Sequence, residues 1–396
     1  MKKIEISSID YYVVGAGWRD WLFLEIRLRN GLVGFSEFTE SNGSIPTLLS
    51  AIEEIKKDVI TLESLDVANI VLSLRRKYRQ SIPGVIWKAI SAFENALWDL
   101  KSKSEDQTIP QILQRLTFDS EVKFQTYWSH CPTTRIRSGE FLGKPKLSAI
   151  EDLAQIRDEI DSLNFQAFKT NLVTFEPEAK VLMPGFNKNF SLFRDEISKS
   201  YGEELDAIIN KLTPKKKNID CIIDLNFNVS PLEFKLIQDS ISDQKIRWIE
   251  IDFDDINDYE QVLNSSNFPI CTGENVLGHF NYNKIIEDRR VGIVSIDILW
   301  NGLSESLKIA EMAIAKGKKI AVHNYYGSLA SSIALVFMSM LPKESIELLE
   351  YDYDDVPWRD YIFETPPLFL DGNLRAQIGL GWNNNLIIEK MKMYEV

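Results

Sequence analysis

Six polar residues in the second half of the chain stand at the ends of short runs rich in Ile, Val, Cys and Leu. Subtracting consecutive residue numbers gives intervals of 26, 24, 23, 26 and 27 residues. Runs of this composition are typical of strands that are buried on both faces. One strand, one helix and two loops occupy roughly 20–30 residues, so the spacing predicts a βα repeat. The six residues are Asp224, Glu250, Glu274, Asp297, His323 and Glu350.

The even spacing favours a closed, TIM-like (β/α) barrel, an α/β fold whose catalytic residues collect at the carboxyl ends of its strands. The alternative is a doubly wound open sheet, because its buried parallel strands have the same composition. No glycine-rich phosphate-binding turn follows any of the six runs, and this favours the barrel.

The size and charge of the chain limit its partners. A length of 396 residues accommodates one barrel and a second, smaller domain. A formal net charge of −13 makes nucleic acid and anionic membranes poor partners. No apolar run reaches the roughly 18 residues of a membrane span, and no signal core is visible. Cysteines in apolar strand runs fit buried thiols in a reducing compartment, so we predict a cytoplasmic protein.

The amino-terminal region predicts a three-stranded meander over 4–14, 21–29 and 32–37. Asn30-Gly31 is a residue pair that favours positive φ in a two-residue hairpin turn. Four helices are predicted over 45–61, 64–80, 85–103 and 109–116. Near residue 121 the pattern changes to the βα repeat. The carboxyl-terminal stretch 383–389 predicts one more strand.

A loop over 14–20 contains two glycines, an aromatic residue and a cation. It is either an ordinary connection or a lid over a substrate. In the second interpretation, Trp18 or Arg19 contacts the distal end of the substrate.

Asp224, Glu250 and Glu274 end three consecutive predicted strands, so a barrel would bring their carboxylates together. Burying unpaired negative charge costs several kcal/mol for each group, and a divalent cation would offset that cost. Three oxygen ligands without thiol or imidazole suit Mg²⁺. The alternative for each acid is a helix cap or a lysine partner.

Asp297 and His323 end the next two strands, which should be neighbours. A carboxylate that accepts a proton from one imidazole nitrogen increases the basicity of the other nitrogen. We therefore predict that His323 is a general base oriented by Asp297. His130 and His279 have no comparable context, and we interpret both as structural or peripheral.

Three further stretches make the chain similar to a known family. NGLVGFSE at 30–37 and AISAFENALWDLKSK at 89–103 resemble capping-domain signatures of the mandelate racemase subgroup of the enolase superfamily. DGNLRAQIGLGW at 371–382 resembles the carboxyl-terminal signature of the same subgroup. The resemblance implies a (β/α)₇β barrel of residues 121–351. It also implies an α+β capping domain of residues 1–120, completed by about 352–396.

The resemblance also implies a chemistry, in which the proton α to a carboxylate is abstracted with the help of Mg²⁺. Asp224, Glu250 and Glu274 match the metal ligands, and Asp297 with His323 matches the catalytic dyad. Glu350 matches a carboxylic acid that hydrogen-bonds the substrate carboxylate. Lys169 matches the first lysine of a Lys-x-Lys motif.

Three positions complicate the match. The second lysine of that motif is Asn171, as in the galactonate dehydratase branch. That branch has a histidine where this chain has Asn226, which instead agrees with the racemases. The usual Glu-Glu-Pro is here Glu250-Ile251-Asp252, so the loop that follows could differ in shape.

We therefore predict a Mg²⁺-dependent dehydratase that eliminates water from an acid sugar and yields a 2-keto-3-deoxy acid. The expected substrate-binding residues are Asn171, Asn226, Trp18 and Arg19, and we expect a homo-oligomer. The alternatives are a cycloisomerase or a racemase or epimerase of a carboxylic acid in the same superfamily. A catalytically inactive barrel protein is a further alternative, against which the intact His323, Asp297 and Lys169 argue.

Overall fold

The computed structural model describes residues 3–40, 43–115, 120–182, 199–215, 217, 219–226, 229–252 and 255–396. Within this part of the chain, none of the helices combines the length and the apolar character that crossing a membrane requires.

The amino-terminal meander has the predicted antiparallel topology. Its strands are β1 (Ile6–Gly15), β2 (Asp20–Leu28) and β3 (Val33–Glu37), and β2 lies in the middle. The β2–β3 connection differs from the predicted two-residue turn. Leu28 N donates to Leu32 O, three residues lie between them, and Gly31 rather than Asn30 has positive φ, at 91°.

Four helices follow the meander, and the third of them packs on it while the other three pack on the third. They are α1 (Ile45–Val59), α2 (Val67–Lys77), α3 (Val85–Glu105) and α4 (Ile109–Ile112). Side chains that accept from backbone N–H groups begin α2 and α4: Asp66 accepts from Asn69 N, and Thr108 accepts from Gln111 N. Helix α3 is buried around most of its central part, because it packs on the meander on one side and on the barrel on the other.

The region that follows α4 alternates strands and helices. The strands of this region are β4 (Glu121–Trp128), β5 (Ala167–Asn171), β6 (Val173–Thr174), β7 (Lys180–Val181), β8 (Asp220–Asn226), β9 (Ile246–Ile251), β10 (Ile270–Thr272), β11 (Val291–Asp297), β12 (Lys319–His323) and β13 (Leu349–Tyr351). The helices are α5 (Thr133–Leu142), α6 (Leu153–Ser162), α7 (Lys199–Leu212), α8 (Pro231–Ser240), α9 (Ile256–Ser265), α10 (His279–Glu287), α11 (Ile298–Asn301), α12 (Leu303–Ala315) and α13 (Ser328–Ser339).

Eight of these strands form one parallel sheet in the order β4, β5, β8, β9, β10, β11, β12, and β13 returns to pair with β4. A parallel bridge between Ile320 and Ile346 joins β12 to the segment before β13. The sheet is therefore closed, so the (β/α)₇β prediction is confirmed and the open-sheet alternative is wrong.

One layer of side chains fills the barrel interior, and each strand or its immediate approach contributes one residue. The layer consists of Tyr127, Ala167, Ile222, Trp248, Cys271, Ile293, Ala321 and Leu348. Side chains two positions apart on a strand point the same way, so the next inward positions lie nearer the carboxyl end. On five strands those positions are Lys169, Asp224, Glu250, His323 and Glu350. Because side chains alternate along each strand, these groups all point into the carboxyl-terminal mouth of the barrel.

The carboxyl-terminal tail returns to both parts of the molecule. Its elements are β14 (Leu368–Leu370), β15 (Asn373–Gln377) and α14 (Ile388–Met391), and β15 pairs antiparallel with β4. The predicted strand over 383–389 is wrong, since Leu386 makes a single bridge to Phe363 and a helix begins at Ile388. Val396 N donates to Val13 O, so the tail ends against β1. The predicted domain boundaries stay a prediction.

Candidate active site

The ammonium group of Lys169 lies at the centre of a buried charge cluster. Its Nζ is 3.2 Å from Asp224 Oδ2, 3.1 Å from Glu250 Oε2 and 2.7 Å from Glu350 Oε1. Burial lowers the pKa of Lys169, but Glu250 and Glu350 raise it well above its usual range. Lys169 is therefore a cation that holds three strand ends together.

The predicted metal ligands are acids whose negative charge is incompletely offset. Burial raises the pKa of Glu250 to about 7 against the opposing effect of Lys169. Burial also raises the pKa of Asp224, and that of Glu274 lies well above its usual range in spite of His323. These side chains would gain from additional positive charge at this end of the barrel.

The three carboxylates point toward two different cations. Asp224 and Glu250 contact Lys169, whereas Glu274 Oε2 lies 3.6 Å from His323 Nε2. Among the described residues, no three His, Cys, Asp or Glu side chains are close enough together to hold a metal ion as they stand. The donor chemistry fits Mg²⁺, because all three groups are carboxylates at the ends of adjacent strands. A bound Mg²⁺ stays a prediction.

Asp297 and His323 form the predicted pair. Their strands are in register at these two residues, and His323 Nδ1 lies 2.7 Å from Asp297 Oδ2. Asp297 also accepts from Trp300 N and from the Tyr326 hydroxyl, so its carboxylate is held by three donors. Since the carboxylate accepts from Nδ1, His323 Nε2 is the nitrogen available for proton transfer.

The charge around His323 determines its basicity. Burial lowers its pKa, but Glu274 and the hydrogen bond to Asp297 raise it to about 10. Offsetting the charge of Glu274 would lower this pKa toward the range in which imidazole accepts a proton at neutral pH.

Glu350 accepts hydrogen bonds at both of its carboxylate oxygens. Its Oε1 accepts from Ser129 Oγ at 2.6 Å and from Lys169, and its Oε2 accepts from Asn324 N at 2.8 Å. Burial would raise the pKa of Glu350, but Lys169 and two histidines hold it below its usual range. Glu350 therefore anchors Lys169, while its hydrogen bond to a substrate carboxylate stays a prediction.

His130 lies within this site, so it is not peripheral, and its interpretation as a structural residue stays a prediction. Ser129 donates its single hydroxyl proton to Glu350 and therefore accepts from His130 Nδ1, at 2.6 Å. Burial and the nearby Lys169 hold the pKa of His130 well below its usual range. The alternation of side chains along β4 predicts that Ser129 points into the mouth of the barrel, because Ser129 lies two residues after Tyr127 of the interior layer.

His279 agrees with its predicted peripheral role. It begins α10 on the outside of the barrel, and its ring contacts Glu305 and Lys308.

The two predicted asparagines have different surroundings. Asn226 has positive φ, at 45°, and its backbone N and side-chain Nδ2 both donate to Asp224 Oδ1. Asn171 is fully buried, and neither of its amide atoms has a hydrogen-bond partner among the described residues. Buried amides in proteins are usually paired, so a group that both donates and accepts would satisfy this one. That Asn171 binds substrate stays a prediction.

The loop between β1 and β2 is fastened to the barrel mouth. Arg19 Nη2 donates to Asp352 at 2.5 Å and to Asp355 at 2.6 Å, and Nη1 donates to Tyr325 O at 2.9 Å. The Trp18 ring stacks on Tyr325, with 5.3 Å between centroids. Arg19 thus has an anchoring role that the sequence did not indicate, while contact of either residue with substrate stays a prediction.

Known sequence families match both parts of this chain. The Enolase C-terminal domain-like family matches residues 151–385, and the mandelate racemase / muconate lactonizing enzyme N-terminal domain family matches residues 15–113. D-galactonate dehydratase of Pectobacterium atrosepticum is 23% identical over 94% of this chain and 91% of its own. D-xylonate dehydratase of Haloferax volcanii is 22% identical over 100% of this chain and 90% of its own.

Solved structures share the whole architecture. A protein of Burkholderia xenovorans strain LB400, provisionally assigned as an L-alanine-DL-glutamate epimerase and bound to magnesium and fumarate, has a TM-score of 0.90 and 28% identity. The similarity covers 98% of this chain and 96% of that one. The 3,6-anhydro-D-galactonate cycloisomerase of Zobellia galactanivorans has a TM-score of 0.78 and 19% identity over 99% of both chains, which concerns the fold alone.

Proposed function

Since this chain belongs to the mandelate racemase subgroup of the enolase superfamily, we propose that it is a Mg²⁺-dependent hydro-lyase that dehydrates an acid sugar. One observation carries the choice of reaction: His323 is paired with an orienting carboxylate, while Asn171 on β5 presents a buried amide that has no partner among the described residues. Elimination needs one base, whereas racemisation by direct proton transfer needs a base on each face of the α-carbon. An amide has no useful basicity near neutral pH.

Lys169 does not replace the missing second base. Its ammonium contacts three carboxylates, and its raised pKa keeps it protonated at neutral pH. In this position it attracts a substrate carboxylate and orients it at the mouth of the barrel.

Each residue of the site has one role in the proposed reaction. Asp224, Glu250 and Glu274 would hold Mg²⁺, which would withdraw electron density from the substrate carboxylate and so acidify the α-proton. His323 Nε2 takes the α-proton, and Asp297 stabilises the imidazolium that results. The C–O bond at the β-carbon then breaks, and His323 returns the proton to the departing hydroxyl, which leaves as water. The remaining enol becomes a 2-keto-3-deoxy acid.

Asn171 is suited to a polyhydroxylated substrate. A hydroxyl group both donates and accepts, so a substrate hydroxyl can donate to Asn171 Oδ1 and accept from Asn171 Nδ2. The names of the two dehydratase relatives support the same substrate class.

The test is to incubate the protein with MgCl₂ in D₂O with D-galactonate and D-talonate, and separately with D-xylonate and D-lyxonate. These pairs are epimers at C2, and NMR follows both the α-proton and new products. We expect a 2-keto-3-deoxy acid from one member of a pair. Interconversion of epimers without keto product would overturn the proposal.

An epimerase is the second candidate, because the structure with 28% identity carries an epimerase assignment. The discriminating residue is again Asn171, since an epimerase with this site would need another group to return the proton. Deuterium incorporation into both C2 epimers of one substrate would favour it. His323→Asn should abolish all α-proton exchange under the dehydratase mechanism.

A further inference from the structure

Asp252 connects the ends of three neighbouring strands at the predicted metal site. It follows β9 directly, lies two residues after Glu250, and is 8% exposed. Its backbone N donates to Asn226 O at 3.1 Å, at the end of β8. Its carboxylate accepts four hydrogen bonds, and all four donors belong to the end of β10 and the loop that follows.

The four donors belong to residues directly before and after Glu274 in the chain. Asp252 Oδ1 accepts from Thr272 Oγ1 at 2.7 Å and Gly273 N at 3.0 Å. Asp252 Oδ2 accepts from Asn275 Nδ2 at 2.8 Å and Asn275 N at 3.3 Å. The backbone on both sides of Glu274 is therefore bound to one buried carboxylate.

A second path reaches the Glu274 carboxylate itself. Asn275 Nδ2 donates to Glu274 Oε1 at 3.0 Å as well as to Asp252. The remaining side of this loop is held by Tyr282, whose hydroxyl donates to Gly273 O at 2.7 Å. Asp252 thus restricts both the backbone position and the side-chain direction of Glu274.

The hydrogen bonds of Asp252 favour a role through Glu274 over a role as a further cation ligand. Both of its oxygens already accept two hydrogen bonds each, so binding a cation would leave buried donors without partners. Proline, which the related family has at this position, has neither an N–H nor a carboxylate, so it could form none of these bonds.

We propose that Asp252 is a positioning residue that orients Glu274 for cation binding and joins its loop to the ends of β8 and β9. This inference rests on the proposed Mg²⁺ site. Groups that orient metal ligands typically contribute 10–100-fold to metal affinity.

The experiment measures Mg²⁺ binding by calorimetry and Mn²⁺ binding by EPR, so that no substrate is required. Asp252→Asn keeps the backbone N–H but replaces an acceptor oxygen with a donor that opposes the donors from the Glu274 loop. We expect it to weaken both affinities by about 10–100-fold. Asp252→Glu should recover part of the loss.

Asp255→Asn is the matched control. Asp255 lies three residues further on and also accepts backbone N–H groups, but its partners are Asn257 and Asp258 at the start of α9. The Mg²⁺ affinity of the Asp255→Asn variant should stay within twofold of wild type. Glu274→Gln removes a predicted ligand and shows whether the measured cation occupies this site.

The outcomes separate the two proposals. If wild type binds no Mg²⁺, or binds it equally well in Glu274→Gln, both the proposed function and this inference are wrong. If Glu274→Gln loses affinity while Asp252→Asn binds as wild type does, only the inference is wrong. Should Asp252→Asn fail to fold, Asn275→Ala removes from an exposed position the Nδ2 donor that joins Asp252 to Glu274 Oε1, and unchanged affinity there overturns the inference.

Discussion

At the scale of single residues, the Asp297 carboxylate accepts from three donors. It accepts from His323, from the Tyr326 hydroxyl and from Trp300 N, and it also begins α11. An amide in its place could not accept from all of them and would favour the wrong imidazole tautomer.

We therefore expect Asp297→Asn to reduce kcat by roughly 10³–10⁴-fold, as in other His–Asp pairs, with the fold intact. Tyr326→Phe is the comparison, since it removes one donor and leaves the His323–Asp297 bond, so it should cost much less. Steady-state rates and α-proton exchange in D₂O measure both variants. Equal losses in the two variants would mean that Asp297 acts through packing rather than through His323.

Asn171 provides a second prediction at this scale, in which stability and activity change in opposite directions. Replacing an unpaired buried amide with an apolar side chain of similar size removes a cost of about 1–3 kcal/mol. Asn171→Leu should therefore leave the free energy of unfolding unchanged or raise it, while it lowers kcat/KM on the acid sugar. Urea unfolding and kinetics on the same preparation test this. A clear loss of stability would show that Asn171 is paired within the protein.

At the scale of elements, β3 supports the helix that follows the base. The buried Glu37 at the end of β3 accepts from Gly327 N at 2.8 Å and Ala330 N at 2.9 Å, at the start of α13. The segment between β12 and α13 carries Asn324, which contacts Glu350, and Tyr326, which contacts Asp297. The amino-terminal sheet therefore orders a loop of the active site.

Glu37→Ala should lower the free energy of unfolding by about 1–3 kcal/mol, because it leaves two buried N–H groups at a helix start without acceptors. It should also lower kcat by loosening the 324–327 loop. Ser44→Ala is the matched control: Ser44 begins α1, but its side chain does not accept from the helix backbone. An effect of Glu37→Ala no larger than that of Ser44→Ala would contradict the capping role.

At the scale of the whole molecule, Arg19 joins the amino-terminal sheet to the end of the barrel. Burial raises the pKa of both Asp352 and Asp355, and Arg19 opposes this rise. Removing one partner of a buried ion pair typically costs 3–5 kcal/mol, because the other charge stays buried without compensation.

Arg19→Ala should therefore lower the free energy of unfolding by about 3–5 kcal/mol at neutral pH. The raised pKa values of the two acids set the direction in which the free energy of unfolding changes with pH. Their contribution to stability is present while they are protonated and is lost as the pH rises through their folded pKa values. The deficit relative to wild type should shrink as the pH is lowered through the raised pKa values of Asp352 and Asp355. We also expect a higher KM with unchanged Mg²⁺ affinity. A deficit that is constant with pH would show that packing, not charge, is lost.

Much of the fold and of the site was predictable because the signals are local. The βα spacing, the apolar runs and the alternation of side chains are properties of neighbouring residues, so they place Asp224, Glu250, His323 and Glu350 at strand ends without knowledge of the contacts. The same rule applied to Tyr127 would have found Ser129. The strand predicted over 383–389 is wrong for a reason that is not local, since a strand-like composition forms a strand only where a partner strand is available.

The sequence by itself determined which groups stand at the mouth of the barrel, because their order along the chain is also their order around it. Tertiary structure alone decided what each group is bound to. Lys169 contacts three acids from three other strands, Glu350 is ionised because of that contact, and Asp252 holds a loop twenty residues further on. Charge states and hydrogen bonds depend on distances between side chains, and those distances exist only once the barrel has closed.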